Sequence, residues 1–507
     1  MTKVKSITKV VYLPLLIFSV VFFVLGVDFF YVLSSEIILN LVKVDIISAL
    51  CIVFLFSNLL IYYFYKKLLI GPLLLLRDQT RKIKLFKYDD VIFVKSNIRE
   101  ISELALSIYI VAQKMKAHEK ERQDMIFSFV KSIASAIDAK SPYTAGHCNR
   151  VPEITMMLVN AAESSDLPSL QSFKNLTVSD YKTIELAAWL HDCGKIVTPE
   201  HVIDKSVKLE TIYNRIHEIR TRFEVLWRDA EIHYYKQVIQ SPQHKEVHLL
   251  ELNNKKHQLT DDFDFVASLN NGEKSVSDYE IKRLKEIASI SWFRNFDDTL
   301  GLSNLELKKK RSKGKSGYES LLSDKKEHQI VRDRADDEIL TKQHNINMKF
   351  PDLLSNKGEV YNLSIKNGTL TEEERFCINE HIIHTIKMLD ALPLPNEFKG
   401  LPNIATHHHE NLLGSGYPRG LNEYQLSIPD RILAIADIFE ALTASDRPYK
   451  RAKTLSEAID ILAEMVSHGK LDGDIFTLFI KERIYLDYAN KYLDPYQIDI
   501  VDLERYL

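Results

Sequence analysis

The stretch Ile184-Glu185-Leu186-Ala187-Ala188-Trp189-Leu190-His191-Asp192-Cys193-Gly194-Lys195 decides how the C-terminal part of this chain reads. Its first seven residues read as the end of an apolar helix, which delivers an imidazole and a carboxylate side by side. Burying both is costly unless something pairs with them. A divalent metal does so, and imidazole with carboxylate suits manganese, iron or zinc-like ions. Lys195 stands four positions after His191, one turn on if the helix continues, where its ammonium can reach a phosphoryl oxygen held at the metal. A His-Asp pair alone also occurs on ordinary surfaces.

A second cluster changes the weight of the first. His407-His408-His409-Glu410 is followed by Gly414-Ser415-Gly416-Tyr417-Pro418-Arg419-Gly420, where three glycines and a proline exclude a helix and demand a shaped loop. Residues 431 to 443 then read as a helix in which Asp437 lies among Ile432, Leu433, Ile435, Ile438, Phe439 and Leu442. A carboxylate there is costly unless coordinated or hydrogen-bonded. Directly after it, Arg447-Pro448-Tyr449-Lys450 offers two cations near the place an anionic substrate would occupy.

Together these segments resemble the HD-GYP branch of the HD phosphohydrolase superfamily. The matching runs are Tyr143-Thr144-Ala145-Gly146-His147 with Arg150-Val151, then His191-Asp192 through Lys195, then Leu370-Thr371 through Glu374 followed by His381. His408-His409-Glu410 with Gly414 through Pro418, and Ala436-Asp437 through Lys450, complete the series in order. The resemblance implies an all-α, metal-dependent phosphodiesterase that hydrolyses cyclic di-GMP to linear pGpG or to GMP. It implies metal ligation by His147, His191, Asp192, His381, His408, His409 and Asp437, with Asp192 as the bridging ligand. It further implies catalysis by Asp192 and Lys195, and substrate contacts from Lys195, Gly416, Tyr417, Pro418, Arg447 and Lys450. Two divalent ions, iron or manganese, are expected. A third is less expected, because Tyr143 stands where family members with three ions carry glutamate. Glu410 is expected to orient a ligand histidine. His384 and His407 read as neighbours of the site and Tyr417 as a pocket-mouth or loop-bracing residue. Leu413 departs from the acidic or amide residue usual before the loop. The alternatives are an HD hydrolase for another cyclic nucleotide, or a non-catalytic nucleotide-binding receptor or scaffold.

The rest of the chain tells where such a site sits. With 507 residues, 46% of them hydrophobic, there is material for two or three folded units. The 66 basic and 69 acidic side chains leave a net charge of −3, which excludes a global bias toward nucleic acid, so no DNA or RNA partner is expected. Four cysteines without close spacing read as reduced thiols, not as a zinc or disulfide framework. Two apolar runs, from Val10 past Asp28 to Leu33 and from Ile46 to Tyr65, can each cross a hydrocarbon core of roughly 30 Å. The rival reading of the first run, a secretory signal, lacks a small-residue cleavage site. Lysines 3, 5 and 9 and the basic residues after Tyr65 outnumber the lone Lys43 between the runs, which predicts a two-pass inner-membrane protein with both termini and the catalytic domain cytoplasmic.

Residues 1–70 are therefore expected to form a transmembrane hairpin and residues 71–125 a helical linker. Gly71-Pro72 and the Ile98 to Leu104 run resemble a HAMP-type signalling linker, a resemblance that implies a homodimer; a plain helical spacer fits as well. The catalytic domain is expected over 126–204 and 359–507, with helical periodicity and no sustained alternation, hence all-α. Residues 205–358 read as a charged, partly helical insertion carrying no chemistry, and its basic run Lys308 to Lys315 as a solvated loop.

Overall fold

The computed structural model describes residues 13–34, 40–140, 146–310, 314–333, 335–444 and 452–506. It separates into two units, residues 1–128 and 129–507.

In the first unit α1 (Leu13–Ser34) is followed by α2 (Asn40–Tyr65), and Phe18 and Phe22 of one face Phe54 of the other. Among the described residues one stretch, Ile52–Lys84, is long and apolar enough to cross a membrane by length and composition. The helix does not stop at Tyr65. A π-helical turn, Lys66–Ile70, carries it into α3 (Gly71–Lys84). Pro72 sits in the first turn of α3, where its missing N–H falls beside the widened ladder and costs little. Gln79 turns the chain back by accepting the Ile92 N–H at 3.0 Å, and Leu76, Val94, Ile98, Ile101 and Ala105 form a small core.

The helix α4 (Arg99–Lys140) runs 42 residues without glycine or proline. The sequence expects a domain boundary at residue 125/126; α4 carries no glycine or proline there and continues from the first unit into the second.

The second unit is mostly helical. α5 (His147–Ser164) packs on α6 (Val178–Leu190), whose start is fixed by a capping box between Thr177 and Asp180. The region 205–358 holds a helical hairpin, α7 (Ile216–Gln240) and α8 (Lys245–Asn270), turned at Pro242. It has a core of its own, with Leu209, Ile219, Phe223, Val266, Leu284 and Leu321 buried together. Each such side chain contributes roughly 1.5–3 kcal/mol. The region is not purely helical. Two antiparallel ribbons occur, β1 (Ser291–Arg294) with β2 (Gly317–Ser320) and β3 (Gln329–Val331) with β4 (Leu353–Asn356). Strands of three or four residues are too short to show a period of two, and they are held by backbone pairing and by contacts such as Phe293 on Tyr318.

The chain then returns through α9 (Glu372–Asn379), α10 (His381–Asp390), α11 (Leu401–Thr406) and α12 (Ile428–Thr443). α12 lies against α5, and α10 against the turn after α6. The three described cysteines whose side chains are placed, Cys148, Cys193 and Cys377, are free thiols.

Candidate metal centre

His191 follows the last residue of α6, and its Nδ1 donates to the Ala188 carbonyl at 2.7 Å. His381, the first residue of α10, does the same to Ile378 at 2.5 Å, and His408, after α11, to Ala405 at 2.8 Å. Each ring is thus tied to the carbonyl three residues upstream, which fixes the tautomer and leaves Nε2 with its lone pair outward. His147 opens α5 behind Gly146, whose φ of 87° suits glycine, and its Nδ1 meets Glu440.

These rings converge in two groups, linked by His191, Asp192 and His408, whose ligand atoms also lie within 4.8 Å of one another. In one, His147 Nε2 and His191 Nε2 are 3.3 Å apart, and Asp437 Oδ1 lies 3.4 and 3.6 Å from them. In the other, the ligand atoms of His381, His408 and His409 lie within 4.8 Å of one another. Asp192 faces both: Oδ2 is 3.1 Å from His147 and 3.3 Å from His191, and Oδ1 is 3.2 Å from His381. All seven residues expected as ligands are brought together. The neighbouring His384 and His407 lie outside both groups, His407 being held between Asp430 at 3.3 Å and Arg419 at 2.8 Å.

The donor set fits divalent ions. Asp192 Oδ1, His381 Nε2 and His408 Nε2 are buried and have no hydrogen-bond partner among the described residues, an arrangement that costs roughly 1–3 kcal/mol per group unless something else is bound. Imidazole and carboxylate without thiolate suit iron, manganese or zinc-like ions.

The two groups differ in charge. Burial works against a charged His147, but Glu440 and hydrogen bonds to Asp192 and Asp437 raise its pKa well above the usual imidazole value. Against the same burial, Asp192 and Asp437 carry His191 up to about 9. Burial also penalises both carboxylates, yet Lys195 and His191 hold Asp192, and hydrogen bonds from His147 and His191 hold Asp437, well below the ordinary range. In the other group burial and neighbouring imidazoles push His408 well below its usual value and His409 down to about 3. Imidazole ligates only when neutral, so His408 and His409 are ready for an ion while His147 and His191 must release protons to take one.

Two positions depend on close approach. A Cβ on Gly194 would lie 1.9 Å from the His381 carbonyl oxygen, so only glycine lets the turn Cys193–Ile196 seat against α10. The Thr385 hydroxyl, 3.0 Å from the Gly194 N–H, closes the same junction. That turn is 3-10, not a continuation of α6, and it brings Lys195 Nζ to 2.5 Å from Asp192 Oδ2. A Cβ on Gly416 would lie 2.5 Å from Glu410 Cα, because the Gly-Tyr-Pro loop crosses directly over residues 409–411.

Tyr417 stacks on His409 at 4.7 Å between ring centroids, and burial raises its hydroxyl pKa. Glu410 differs from its expected role. Its carboxylate accepts the backbone N–H groups of Arg419, Gly420 and Leu421 at 2.7, 3.2 and 2.9 Å, so it anchors the loop and not a ligand histidine. The backbone of a glycine-rich turn leaves donors that a carboxylate satisfies better than an imidazole does. Leu413 is 59% exposed at the edge of this loop. Arg447, Lys450 and Tyr143 lie outside the described residues.

Glu440 was missed by sequence reasoning. It is fully buried, contacts His147 Nδ1 and accepts from Arg150 Nε at 2.6 Å. Burial raises its pKa, but His147 and Arg150 outweigh that and hold it at about 2. The signal was present: Glu440 lies three residues past Asp437, a second carboxylate on the same apolar helix.

Residues 305–475 match the HD domain family, and this segment carries His381, His408, His409 and Asp437. Beside that match, the chain is 40% identical over 119 residues to a 3'3'-cGAMP-specific phosphodiesterase of Vibrio cholerae, covering 23% of this chain and 26% of that one. It is 43% identical over 118 residues to a cyclic di-GMP phosphodiesterase of Thermotoga maritima, covering 23% and 31%. A cyclic di-GMP phosphodiesterase of Pseudomonas aeruginosa is 36% identical over 116 residues, covering 23% and 27%. The chain spans about a quarter to a third of the length of these relatives.

Proposed function

We propose that the protein is a metal-dependent phosphodiesterase for cyclic dinucleotides, acting on cyclic di-GMP or 3'3'-cGAMP. The observation that carries this reading is Asp192, whose two oxygens face two adjoining groups of imidazoles. One carboxylate between two ligand groups is what a two-ion hydrolytic centre requires. Divalent ions held there would supply an activated water at neutral pH and neutralise charge on the phosphoryl oxygens.

The chain's own residues do the remainder. His147, His191 and Asp437 would hold one ion and His381, His408 and His409 the other, with Asp192 shared. Backbone and Glu440 contacts keep the rings aimed, so little reorganisation accompanies binding. Lys195 offsets the charge of Asp192 and stands within reach of a phosphoryl oxygen. Tyr417 covers His409 and shields that edge from water, while Gly416 and Pro418 shape the loop a nucleotide would meet. Iron or manganese are the ions proposed, two per chain. Tyr143 offers no carboxylate for a third.

The same reading takes in the N-terminal part. α1 and α2 would cross the inner membrane, with both termini and the HD domain inside, and α4 would pair with its counterpart in a homodimer. The lone basic residue between the two apolar runs supports that orientation.

The test uses the full chain purified in detergent and loaded with manganese or ferrous iron. Incubation with each cyclic dinucleotide should give the linear dinucleotide or mononucleotides, and chelation should stop it. Tight binding of the nucleotide without turnover under either metal would point instead to a receptor.

A further inference from the structure

The region 205–358 ends in a segment that lies on the loop of the centre. The Asn347 N–H donates to the Pro418 carbonyl at 2.7 Å, and Arg419 Nε donates to the His344 carbonyl at 3.1 Å. Between them Ile346, 4% exposed, is buried with Ile382, Ile383 and Ile386, and Tyr417 packs against that cluster. The three isoleucines belong to α10, the helix that begins with His381. The segment therefore touches both the helix of one expected ligand and the ring that covers another. Its approach is fixed by Arg332, which pairs with Asp337 at 2.7 Å and with Glu380, the residue before His381, and lies over the rings of Phe350 and Phe376.

The loop's own support covers a different part of it. Glu410 holds the N–H groups of residues 419–421, and the His409 carbonyl accepts the Tyr417 N–H at 3.2 Å. The Pro418 carbonyl is met by Asn347, and Tyr417 packs against the cluster that Ile346 completes. A loop this rich in glycine loses entropy on ordering, so a second anchor sets how well its aromatic ring is prepositioned.

We propose that His344–Asn347 is a positioning element that seats Tyr417 and so sets affinity and base selectivity for the dinucleotide. The proposal rests on the phosphodiesterase reading above. It gives the insertion a task at the site: the bound nucleotide meets a ring whose place is set from outside the ligand set. Ile346 acts through Tyr417 and does not touch the reacting atoms.

The experiment compares the full chain with Ile346→Ala and Ile346→Val. Bound metal is measured, with steady-state kinetics on cyclic di-GMP, 3'3'-cGAMP and the small diester bis(p-nitrophenyl) phosphate. For Ile346→Ala the expected result is a KM raised about tenfold for the dinucleotides and a changed ratio of kcat/KM between them, with metal content and small-diester turnover within about twofold of the parent. Ile346→Val should lie between the two, and it carries the test if the alanine variant does not fold. Unchanged dinucleotide KM and ratio in folded variants overturn the proposal. So does parallel loss of metal and small-diester turnover, which would make the segment a mere support for His381. Should the parent hydrolyse the small diester but neither dinucleotide, the phosphodiesterase reading itself fails and takes this proposal with it.

Discussion

The Glu440 carboxylate, with no exposure to solvent, meets His147 Nδ1 and turns Nε2 of that ring toward His191, Asp192 and Asp437. A ligand histidine gains basicity and a fixed orientation from such a partner. Glu440→Gln keeps the shape and removes the charge. The expected outcome is a metal affinity about 10- to 100-fold weaker in the group containing His147, read by competition with a chelator, with the group containing His381 unaffected. Equal affinities at both would contradict the role.

Gly194→Ala tests the junction between the two ligand groups. Its methyl would sit 1.9 Å from the His381 carbonyl oxygen, a contact with backbone that no rotamer relieves. Destabilisation of more than about 3 kcal/mol in chemical denaturation, or loss of the folded protein, is expected. An alanine variant of parental stability would mean that the turn and α10 do not meet as described.

Proton competition gives a pH dependence with a definite sign. His191 has its folded pKa raised to about 9, above its unfolded value, so in the ion-free chain its contribution to stability is complete below about 6.5 and is lost as pH rises through 9. Ion binding expels that proton, so affinity runs the opposite way and should rise by about tenfold per pH unit per proton displaced between pH 6.5 and 9. Titration calorimetry in buffers of different ionisation enthalpy reads the protons released. Release near zero at pH 7.5 would remove His147 and His191 from the ligand set.

Leu413 stands at the rim, 59% exposed, and its backbone N–H is held by the Asn411 side chain at 3.1 Å. Leu413→Asp should change stability by no more than about 0.5 kcal/mol and leave bound metal unaltered, while shifting dinucleotide KM. Loss of metal in that variant would move the loop's importance from substrate to centre.

Much of the centre could be read from the sequence because charged groups in apolar surroundings need an explanation. His191, Asp192 and Asp437 announced themselves in that way, and His408 and His409 by their adjacency. Glu440 carries the same mark as Asp437, a second carboxylate three residues on along the same apolar helix. Lys195 lies one helical turn past His191 only if the helix continues, and α6 gives way instead to a 3-10 turn at Cys193. The insertion was legible as an interruption and not as a fold. Its core, from Leu209 to Leu321, is assembled from apolar residues scattered among charges, and its ribbons are too short for periodicity to register. No glycine or proline stands between Arg99 and Lys140, so α4 runs unbroken through the boundary expected at residue 125/126.

His191, His381 and His408 are each steadied by a carbonyl three residues earlier in their own segment. Every such ligand brings its own aim with it and borrows none from the chain that joins it to the next. A centre built this way is modular. Connections between its parts can lengthen without detuning it, and doubling a flexible connection costs only about 0.6 kcal/mol of closure entropy. The long passage between α6 and α9 is therefore a place where new material can be added at little risk to the chemistry, and later put to use where its end happens to touch the rim.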